Sequence, residues 1–159
     1  MKKHFTPEMA YPKLKQYCGY SERCHFEVRE KAFGLGLSAK EVDKVVAQLI
    51  EEDYLNEERY AIQFAGGHFR QKKWGKSKIV YSLRQKKVSE QNIKTAIREI
   101  EESDYEFVLE KLAGLKWNLL KGEQVHSRQA KTSAYLLQKG YELPMIQKAI
   151  KKIRQKKEG

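Results

Sequence analysis

The sequence has little of what a secreted, membrane-spanning or zinc-stabilised protein needs. Its two cysteines, Cys18 and Cys24, are too few for a disulfide framework and lack the four-ligand spacing of a structural zinc site. No stretch approaches the ~20 apolar residues that cross a bilayer, and the basic start leads into no apolar run that would resemble a secretory signal. We therefore expect a reduced, cytoplasmic protein with no membrane association.

The arrangements that catalysis requires are also missing. The four histidines are scattered at positions 4, 25, 68 and 126 and form no Ser/His/Asp or Cys/His pattern. No glycine-rich phosphate loop is present. The carboxylates at 51–53 and 101–102 fall at helix ends, which favours structural joints over a two-metal site. We expect a protein that is not an enzyme, with no catalytic residues, no metal and no cofactor.

Positive charge is what the sequence has in excess. Thirty-two lysines and arginines against 21 acids give a net charge of +11. Residues 1–55 are balanced with nine of each sign, whereas 56–105 carry eleven basic against seven acidic residues and 106–159 carry twelve against five. A basic excess of this kind is typical of binding to nucleic acid, or to a protein–nucleic acid assembly. The second and third parts of the chain are therefore predicted to have a polyanionic partner.

Helix signals occur along the whole chain, without the alternation of a strand. Thr6-Pro7 is typical of a helix start, and both Ser38–Glu41 and Ser103–Glu106 have the capping-box pattern. Apolar residues recur at spacings of three and four, most clearly between 42 and 49. The predicted helices are 7–17, 21–33, 39–52, 57–72, 77–86, 90–101, 104–120, 127–139 and 144–156.

The helices recur with a period near 50 residues. An offset of 53 places apolar positions between 83 and 100 on apolar positions between 136 and 153, and an offset of 51 places 42–49 beneath 93–100. We interpret the chain as an all-α tandem array of three three-helix repeats. Units of this size are marginal alone, so we expect them to stack as an elongated, curved monomer. The expected repeats are 1–55, 56–105 with the basic patch, and 106–159 with a basic tail.

Three motifs follow one another in the second repeat. They are Glu58-Arg59-Tyr60-Ala61-x-x-Phe64, a basic turn containing Gly75, and Ile79-x-x-x-Leu83-x-x-Lys86-Lys87-Val88-Ser89. In this order they resemble the signature of the RecX family of bacterial recombinase regulators, and the likeness extends to Lys139-Gly140-Tyr141. The chain departs from the family pattern at Lys76, where proline is common, and at Gly66-Gly67-His68, a region often richer in arginine.

The resemblance implies a modular helical array that binds RecA. In the family the array lies in the deep groove of the RecA nucleoprotein filament and restrains strand exchange and ATP hydrolysis, with a part in recombination, DNA repair and the SOS response. The implied partners are the RecA filament and single- or double-stranded DNA. The alternative is an autonomous DNA-binding protein that acts without RecA, since three-helix units can present a helix to a groove.

The basic patch supplies the candidate site. Between Arg70 and Lys87 there are eight lysines or arginines and no acid, whereas a solvated helix face normally mixes both signs. The expected partner contacts are Arg70, Lys72, Lys73, Trp74, Lys76, Lys78, Arg84, Lys86 and Lys87. Secondary basic contacts are expected on the last helix, at Lys148, Lys151, Lys152 and Arg154.

A further set of residues forms the structural signature, namely Arg59, Tyr60, Phe64, Gly75 and Leu83. Tyr60 and Phe64 are spaced i, i+4 and are expected to pack inside the repeat. We expect Arg59 to support a turn or to pair with a neighbouring glutamate at 57 or 58. Trp74 is expected to be exposed for stacking or for protein contact, while Tyr81 fits a core position and a surface position equally well.

Overall fold

The computed structural model describes residues 4–158. Across that range the chain forms nine α-helices and no strand, which confirms the all-α prediction. None of the described helices has the length and apolar character that a membrane crossing requires. The helices are α1 (Pro7–Tyr20), α2 (His25–Gly34), α3 (Ala39–Glu51), α4 (Glu57–Lys72), α5 (Lys76–Gln85), α6 (Glu90–Arg98), α7 (Glu102–Leu119), α8 (Val125–Lys139) and α9 (Leu143–Glu158).

The chain divides into two compact units. The first contains the chain up to Phe64 together with Leu83–Ala96, and the second contains Ala65–Ser82 together with the chain from Ile97 onward. Helices α4, α5 and α6 each contribute residues to both units. The boundaries of the three expected repeats, at 55 and 105, therefore remain predictions.

Two of the expected helix starts have the capping contacts that the sequence predicts. The Met9 main-chain N–H donates to the Thr6 hydroxyl at 3.2 Å at the start of α1. At the start of α3 the Glu41 N–H donates to the Ser38 hydroxyl at 3.3 Å, while the Ser38 N–H donates to the Glu41 carboxylate at 2.9 Å. This reciprocal pair is a capping box and satisfies two main-chain donors that the helix itself cannot.

The third expected start is wrong. Helix α7 begins at Glu102 with Glu101 as its N-cap in an extended conformation, so Ser103 lies inside the first turn and forms no capping box. Helix α2 likewise begins at His25 instead of residue 21. The Cys24 N–H donates to the Glu27 carboxylate at 3.1 Å, which satisfies a donor ahead of the first turn without a typical N-cap residue.

The core of the first unit lies between α1, α2 and α3. The apolar stripe predicted between 42 and 49 is buried, as are residues from the two preceding helices. The buried cluster comprises Ala10, Leu14, Cys18, Val28, Ala32, Leu37, Val42, Val45, Val46, Leu49 and Leu55. Removing this apolar surface from water is the main stabilising contribution to the unit.

Arg59 supports the turn that follows α3, as expected, but its partners differ from those expected. Its guanidinium is bound to the Glu22 carboxylate and lies 3.3 Å from the Asp53 carboxylate, and it donates to the Asp53 carbonyl at 3.2 Å. Asp53 itself has a left-handed backbone, with φ of 64°. Glu57 is unavailable to Arg59 because it is buried and accepts from the His25 N–H at 3.2 Å.

Tyr60 and Phe64 pack inward to different extents. Tyr60 is buried, which confirms its expected place, whereas Phe64 is half-buried. Their ring centroids lie 5.9 Å apart. Leu83, another signature residue, is fully buried. These signature positions therefore serve packing.

The second unit is organised by α7, α8 and α9, which pack on one another. Helix α7 buries one residue per turn on one side, α8 buries Thr132 and Leu136 four residues apart, and α9 buries apolar residues at spacings of three and four. The buried residues are Tyr105, Leu109, Ala113 and Trp117 of α7, Leu136 of α8, Tyr141, and Ile146, Ala149 and Ile150 of α9. Tyr105 links this core to its surroundings, since its ring lies 5.7 Å from Phe69 and 5.1 Å from Tyr141.

The corrected capping assignment predicts unequal effects of two serine substitutions. Ser38→Ala removes a cap and should lower the free energy of unfolding by about 1 kcal/mol. Ser103→Ala removes no cap and places a better helix former inside α7, so it should change stability by less than ~0.5 kcal/mol. Urea unfolding followed by circular dichroism measures both. Equal losses in the two variants would contradict the observed start of α7.

Candidate anion-binding surface

The eight cations between Arg70 and Lys87 belong to two different units. Arg70 to Lys78 lie in the second unit, around the turn that joins α4 to α5, whereas Arg84, Lys86 and Lys87 lie in the first. The sequence places them in one run, but their surroundings differ.

In the second unit the main chain of this turn is fixed by the joint between α8 and α9. The Gly75 N–H donates to the Lys139 carbonyl at 2.8 Å, and the Ser77 N–H donates to the Gly140 carbonyl at 3.0 Å. These bonds join parts of the chain more than 60 residues apart in sequence. They also satisfy donors that the first turn of α5 would otherwise leave unpaired.

Two glycines permit this approach. A Cβ on Gly75 would lie 2.2 Å from the Gly140 carbonyl carbon and 2.4 Å from its oxygen, distances that main-chain atoms cannot accommodate without moving. Gly140 ends α8 with a left-handed φ of 104°, and a Cβ there would lie 2.5 Å from the Lys78 Cβ. Glycine suits both positions, because a Cβ on Gly75 would meet main-chain atoms and a Cβ on Gly140 would lie 2.7 Å from the Lys78 main-chain nitrogen.

Side chains complete the attachment of the turn. The buried Tyr141 donates its hydroxyl hydrogen to the Lys73 carbonyl at 2.9 Å, and the Lys139 ammonium donates to the Lys72 carbonyl at 3.0 Å. Lys73 has a left-handed φ of 59°, a conformation that needs support in a residue with a side chain. Bonds to the carbonyls of residues 72 and 73 provide that support.

Tyr105 connects the start of α5 to α9. Its hydroxyl oxygen accepts from the Lys76 N–H at 2.9 Å and its hydrogen is donated to the Glu142 carboxylate at 2.7 Å. Burial raises the pKa of Tyr105 well above its ordinary value, so the hydroxyl remains protonated and can serve both partners. Consecutive main-chain donors at 75, 76 and 77 are thus all occupied within the unit, and none remains for an anionic ligand.

Lys76 has a structural partner and is therefore a poor candidate for a free contact. Its ammonium lies 2.9 Å from the Glu102 carboxylate and 4.4 Å from the centre of the Tyr105 ring. Glu102, the acid that balances Lys76, lies on α7, 26 residues away in sequence. It is therefore not part of the acid-free run between residues 70 and 87.

Trp74 is half-buried, so the expectation of an exposed ring is wrong. The His68 ring centroid lies 4.5 Å from its own, and the ammonium groups of Lys72 and Lys78 lie 5.5 Å and 4.7 Å from the centre of the indole. An indole face attracts cations through its quadrupole. Trp74 therefore holds two lysine head groups on either side of the turn.

Four cations of this turn have no acidic partner among the described residues. Arg70, Lys72 and Lys73 are exposed and Lys78 is half-buried. The Lys73 ammonium donates to the Arg70 carbonyl at 2.6 Å, and the Arg70 guanidinium lies over Gly66, where a Cβ would be 2.7 Å from Nη1. One of the two helical glycines thus admits a cation to the helix surface, whereas a Cβ on Gly67 would meet open space.

The cations of the first unit are better balanced. Arg84 makes a bidentate contact with Glu90, at 2.7 and 3.0 Å, and this partner raises the pKa of Arg84 and lowers that of Glu90. The Lys86 ammonium lies 3.7 Å from Glu27, and that of Lys87 lies 5.7 Å from the Phe26 ring centre. All three remain candidates: Arg84 and Lys86 have part of their charge compensated at close range, whereas Lys87 is exposed and has no acidic partner among the described residues.

Two of the four expected contacts of the basic tail are bound within the unit, one of them to an acid. The Lys152 ammonium donates to Glu110 at 2.7 Å, which raises its pKa, and the Arg154 guanidinium donates to the Gln129 side-chain oxygen at 3.1 Å. Lys148 and Lys151 are exposed and have no acidic partner within the described chain. They are the stronger secondary candidates.

Several residues that organise the surface were missed by the sequence assignment. Tyr105, Tyr141 and Lys139 fix the turn, and His68 packs on Trp74. Of these, Lys139 and Tyr141 belong to the Lys139-Gly140-Tyr141 motif of the family resemblance, which does not indicate the segment that the motif contacts. Tyr81, left open between core and surface, is 65% exposed.

The cysteines offer no metal site. Both are free and buried, and the described residues contain no group of three or more potential metal ligands. Burial raises the pKa of Cys24 to about 11, and its thiol donates to the Lys86 carbonyl at 3.7 Å. A thiol of this kind is a small core residue with a hydrogen-bond partner.

The fold and this surface define a class of protein, an all-helical binding protein with a cationic turn built on a fixed backbone. A family model described as "RecX, second three-helix domain" matches residues 56–97. The regulatory protein RecX of Prosthecochloris aestuarii is 30% identical over 136 residues, which cover 84% of this chain and 86% of that protein. The chain therefore belongs to the RecX family of regulatory proteins.

Other relatives agree with this assignment. The regulatory protein RecX of Clostridium perfringens strain SM101 is 31% identical over 117 residues, covering 72% of this chain. The chain spans 54% and 60% of the lengths of two Clostridium perfringens relatives. The crystal structure of RecX from Lactobacillus salivarius has the same fold, with a TM-score of 0.87 at 20% identity over 93% of this chain and 96% of that one.

Because Gly75 is in close contact with backbone and Gly67 faces open space, glycine-to-alanine substitutions at these two positions should have opposite effects on stability. Gly75→Ala should lower the free energy of unfolding by about 1–3 kcal/mol or more, because the new methyl group meets backbone. Gly67→Ala places its methyl group in open space inside α4 and should raise it by about 0.5–1 kcal/mol. Denaturant unfolding of both variants measures this, and a Gly75→Ala protein as stable as the parent would contradict the close approach.

Proposed function

We propose that this protein is a regulator that binds the RecA nucleoprotein filament and lowers its recombinase and ATPase activities. The observation that carries the proposal is the group of four cations without acidic partners, Arg70, Lys72, Lys73 and Lys78, on a turn whose backbone is fixed. Membership of a family of regulatory proteins supports the same role.

A fixed turn favours binding to a repetitive anionic partner. Cations on a preorganised backbone lose less conformational freedom when they bind than cations on a mobile loop. Each phosphate or acidic group they neutralise releases counterions or water, which makes the interaction sensitive to salt. A filament offers the same acidic or phosphate contact at each protomer. A second cationic site on one chain can therefore bind the neighbouring protomer of the filament.

The second site in this proposal is on α9, at Lys148 and Lys151. With both sites bound, the chain bridges neighbouring protomers and opposes the rearrangements that strand exchange and protomer turnover require. Occupancy of the groove also blocks the second DNA. Such a regulator acts in the cytoplasm, during recombination, DNA repair and the SOS response, and needs no cofactor of its own.

An autonomous DNA-binding protein is the second candidate. The net charge of +11 favours it, because nonspecific affinity for DNA follows the number of phosphates neutralised. It predicts equal or tighter binding to bare DNA than to the filament, and no effect on RecA beyond competition for DNA.

The proposed function is tested by removing three exposed cations at once. Arg70→Gln, Lys72→Gln and Lys73→Gln together should weaken binding to RecA filaments and reduce the salt dependence of that binding by about 2–3 units of slope, roughly one for each lost contact. Lys76 is kept because its ammonium is bound to Glu102. Filament binding is measured by anisotropy with a slowly hydrolysed nucleotide across a salt series, beside RecA ATP hydrolysis.

The matched control removes the same charge from elsewhere. Lys40, Lys44 and Lys111 are exposed, and the variant with glutamine at all three should bind and inhibit like the parent. If both triple variants bound filaments equally more weakly than the parent, the effect would depend on net charge alone, which would contradict a defined site. Binding of the parent to bare DNA as tightly as to filaments, without slower ATP hydrolysis, would favour the autonomous reading.

A further inference from the structure

Tyr81 is a large aromatic side chain that the fold does not use. It lies on α5 between two fully buried residues, Ile79 and Leu83, and points away from them, with 65% of its surface exposed. Among the described residues its ring and hydroxyl make no hydrogen bond and no ring or cation contact. Tyrosine is also a weaker helix former than alanine, leucine or lysine, so helix stability does not account for it.

Its position continues the cationic turn. Lys78 precedes Tyr81 by three residues and Ser77 by four, and side chains at these spacings lie on one helix face. The Lys78 ammonium lies over the Trp74 ring at 4.7 Å, so it is held at the boundary between the turn and this face. An exposed aromatic ring therefore lies on the same helix face as a cation that has no acidic partner among the described residues.

The structure contradicts the exposed position expected for Trp74 and places Tyr81, which the sequence left open between core and surface, on the surface. Trp74 is half-buried against His68 and positions cations, so its faces are engaged within the unit. Tyr81 offers an open ring. Aromatic rings on which unpaired bases stack, placed beside cations that track the phosphates, are the usual means of binding single-stranded nucleic acid.

We propose that Tyr81 and Lys78 form a contact for single-stranded nucleic acid, in which the Tyr81 ring stacks on an unpaired base and the Lys78 ammonium neutralises an adjacent phosphate. This contact rests on the proposed function and adds to it. It assigns the α5 face of the same site to the nucleic acid strand and not to the protein partner. Base stacking tolerates any sequence, so the contact needs no base preference.

The test compares oligonucleotides with and without bases at the contact. Tyr81→Ser should weaken binding to a single-stranded oligonucleotide by about five- to 150-fold, the range that loss of one stacked base gives, while Tyr81→Phe binds like the parent. The salt slope of Tyr81→Ser should stay unchanged because no charge is removed. Lys78→Gln should lower that slope by about 0.7.

An abasic oligonucleotide separates stacking from other effects. It keeps every phosphate but offers no base, so the parent and Tyr81→Ser should bind it equally. Tyr20→Ser is the matched control, since Tyr20 is 78% exposed on the first unit, and it should bind both oligonucleotides like the parent. Thermal unfolding of each variant by circular dichroism checks that the fold is kept, as the exposure of both tyrosines leads us to expect.

Three results with the free oligonucleotides would overturn the inference. They are undetectable binding of the parent to the single strand at low salt, parental binding by Tyr81→Ser, and an equal loss on the abasic strand. A fourth result is that Tyr81→Ser weakens binding to filaments but not to the free strand. That result would place Tyr81 against the protein partner and would also overturn the inference. Failure of the parent to bind RecA filaments would remove the proposed function alone, because the free-strand measurements contain no RecA.

Discussion

The contact between the main chains at Gly75 and Gly140 is the constraint on which the cationic surface depends. Because neither residue has a Cβ, the α4–α5 turn reaches the α8–α9 joint closely enough for main-chain hydrogen bonds. The bonds from Tyr141 and Lys139 to the carbonyls of residues 73 and 72 follow from that approach. The lysines of the turn therefore project from a backbone that is fixed before any ligand is present.

Crowding cations on one turn has a cost that the second unit offsets locally. Arg70 and Lys72 lie in the last turn of α4, where cations are stabilised by the partial negative charge of the helix C-terminus. Lys73 and Lys139 donate to carbonyls, and the Trp74 ring faces the ammonium groups of Lys72 and Lys78. Neutral acceptors compensate the repulsion without cancelling the charge, so the surface stays available to an anionic partner.

The sequence predicts the helices better than the surface, for a physical reason. Caps such as Ser38 with Glu41, and the stripe between 42 and 49, are set by residues three or four apart. The surface depends on contacts between distant parts of the chain. Glu102 balances Lys76, although it lies outside the acid-free run, and the indole partners of Trp74 cannot be read from its neighbours in sequence. A segment without acidic residues can therefore still have acidic neighbours in the folded structure.

The number of free cations bears on which partner is reasonable. Four phosphate contacts on a single strand give a salt slope near 3, so binding through the turn alone weakens by about 50-fold between 50 and 200 mM salt. Such a site alone therefore loses most of its affinity as the salt concentration rises to the physiological range. A stacked base adds a contribution that salt does not screen, and a second cationic site at Lys148 and Lys151 adds multivalency when the partner repeats. A repeating filament satisfies both conditions, whereas a short isolated strand satisfies only the first, and this difference supports the filament as the proposed partner.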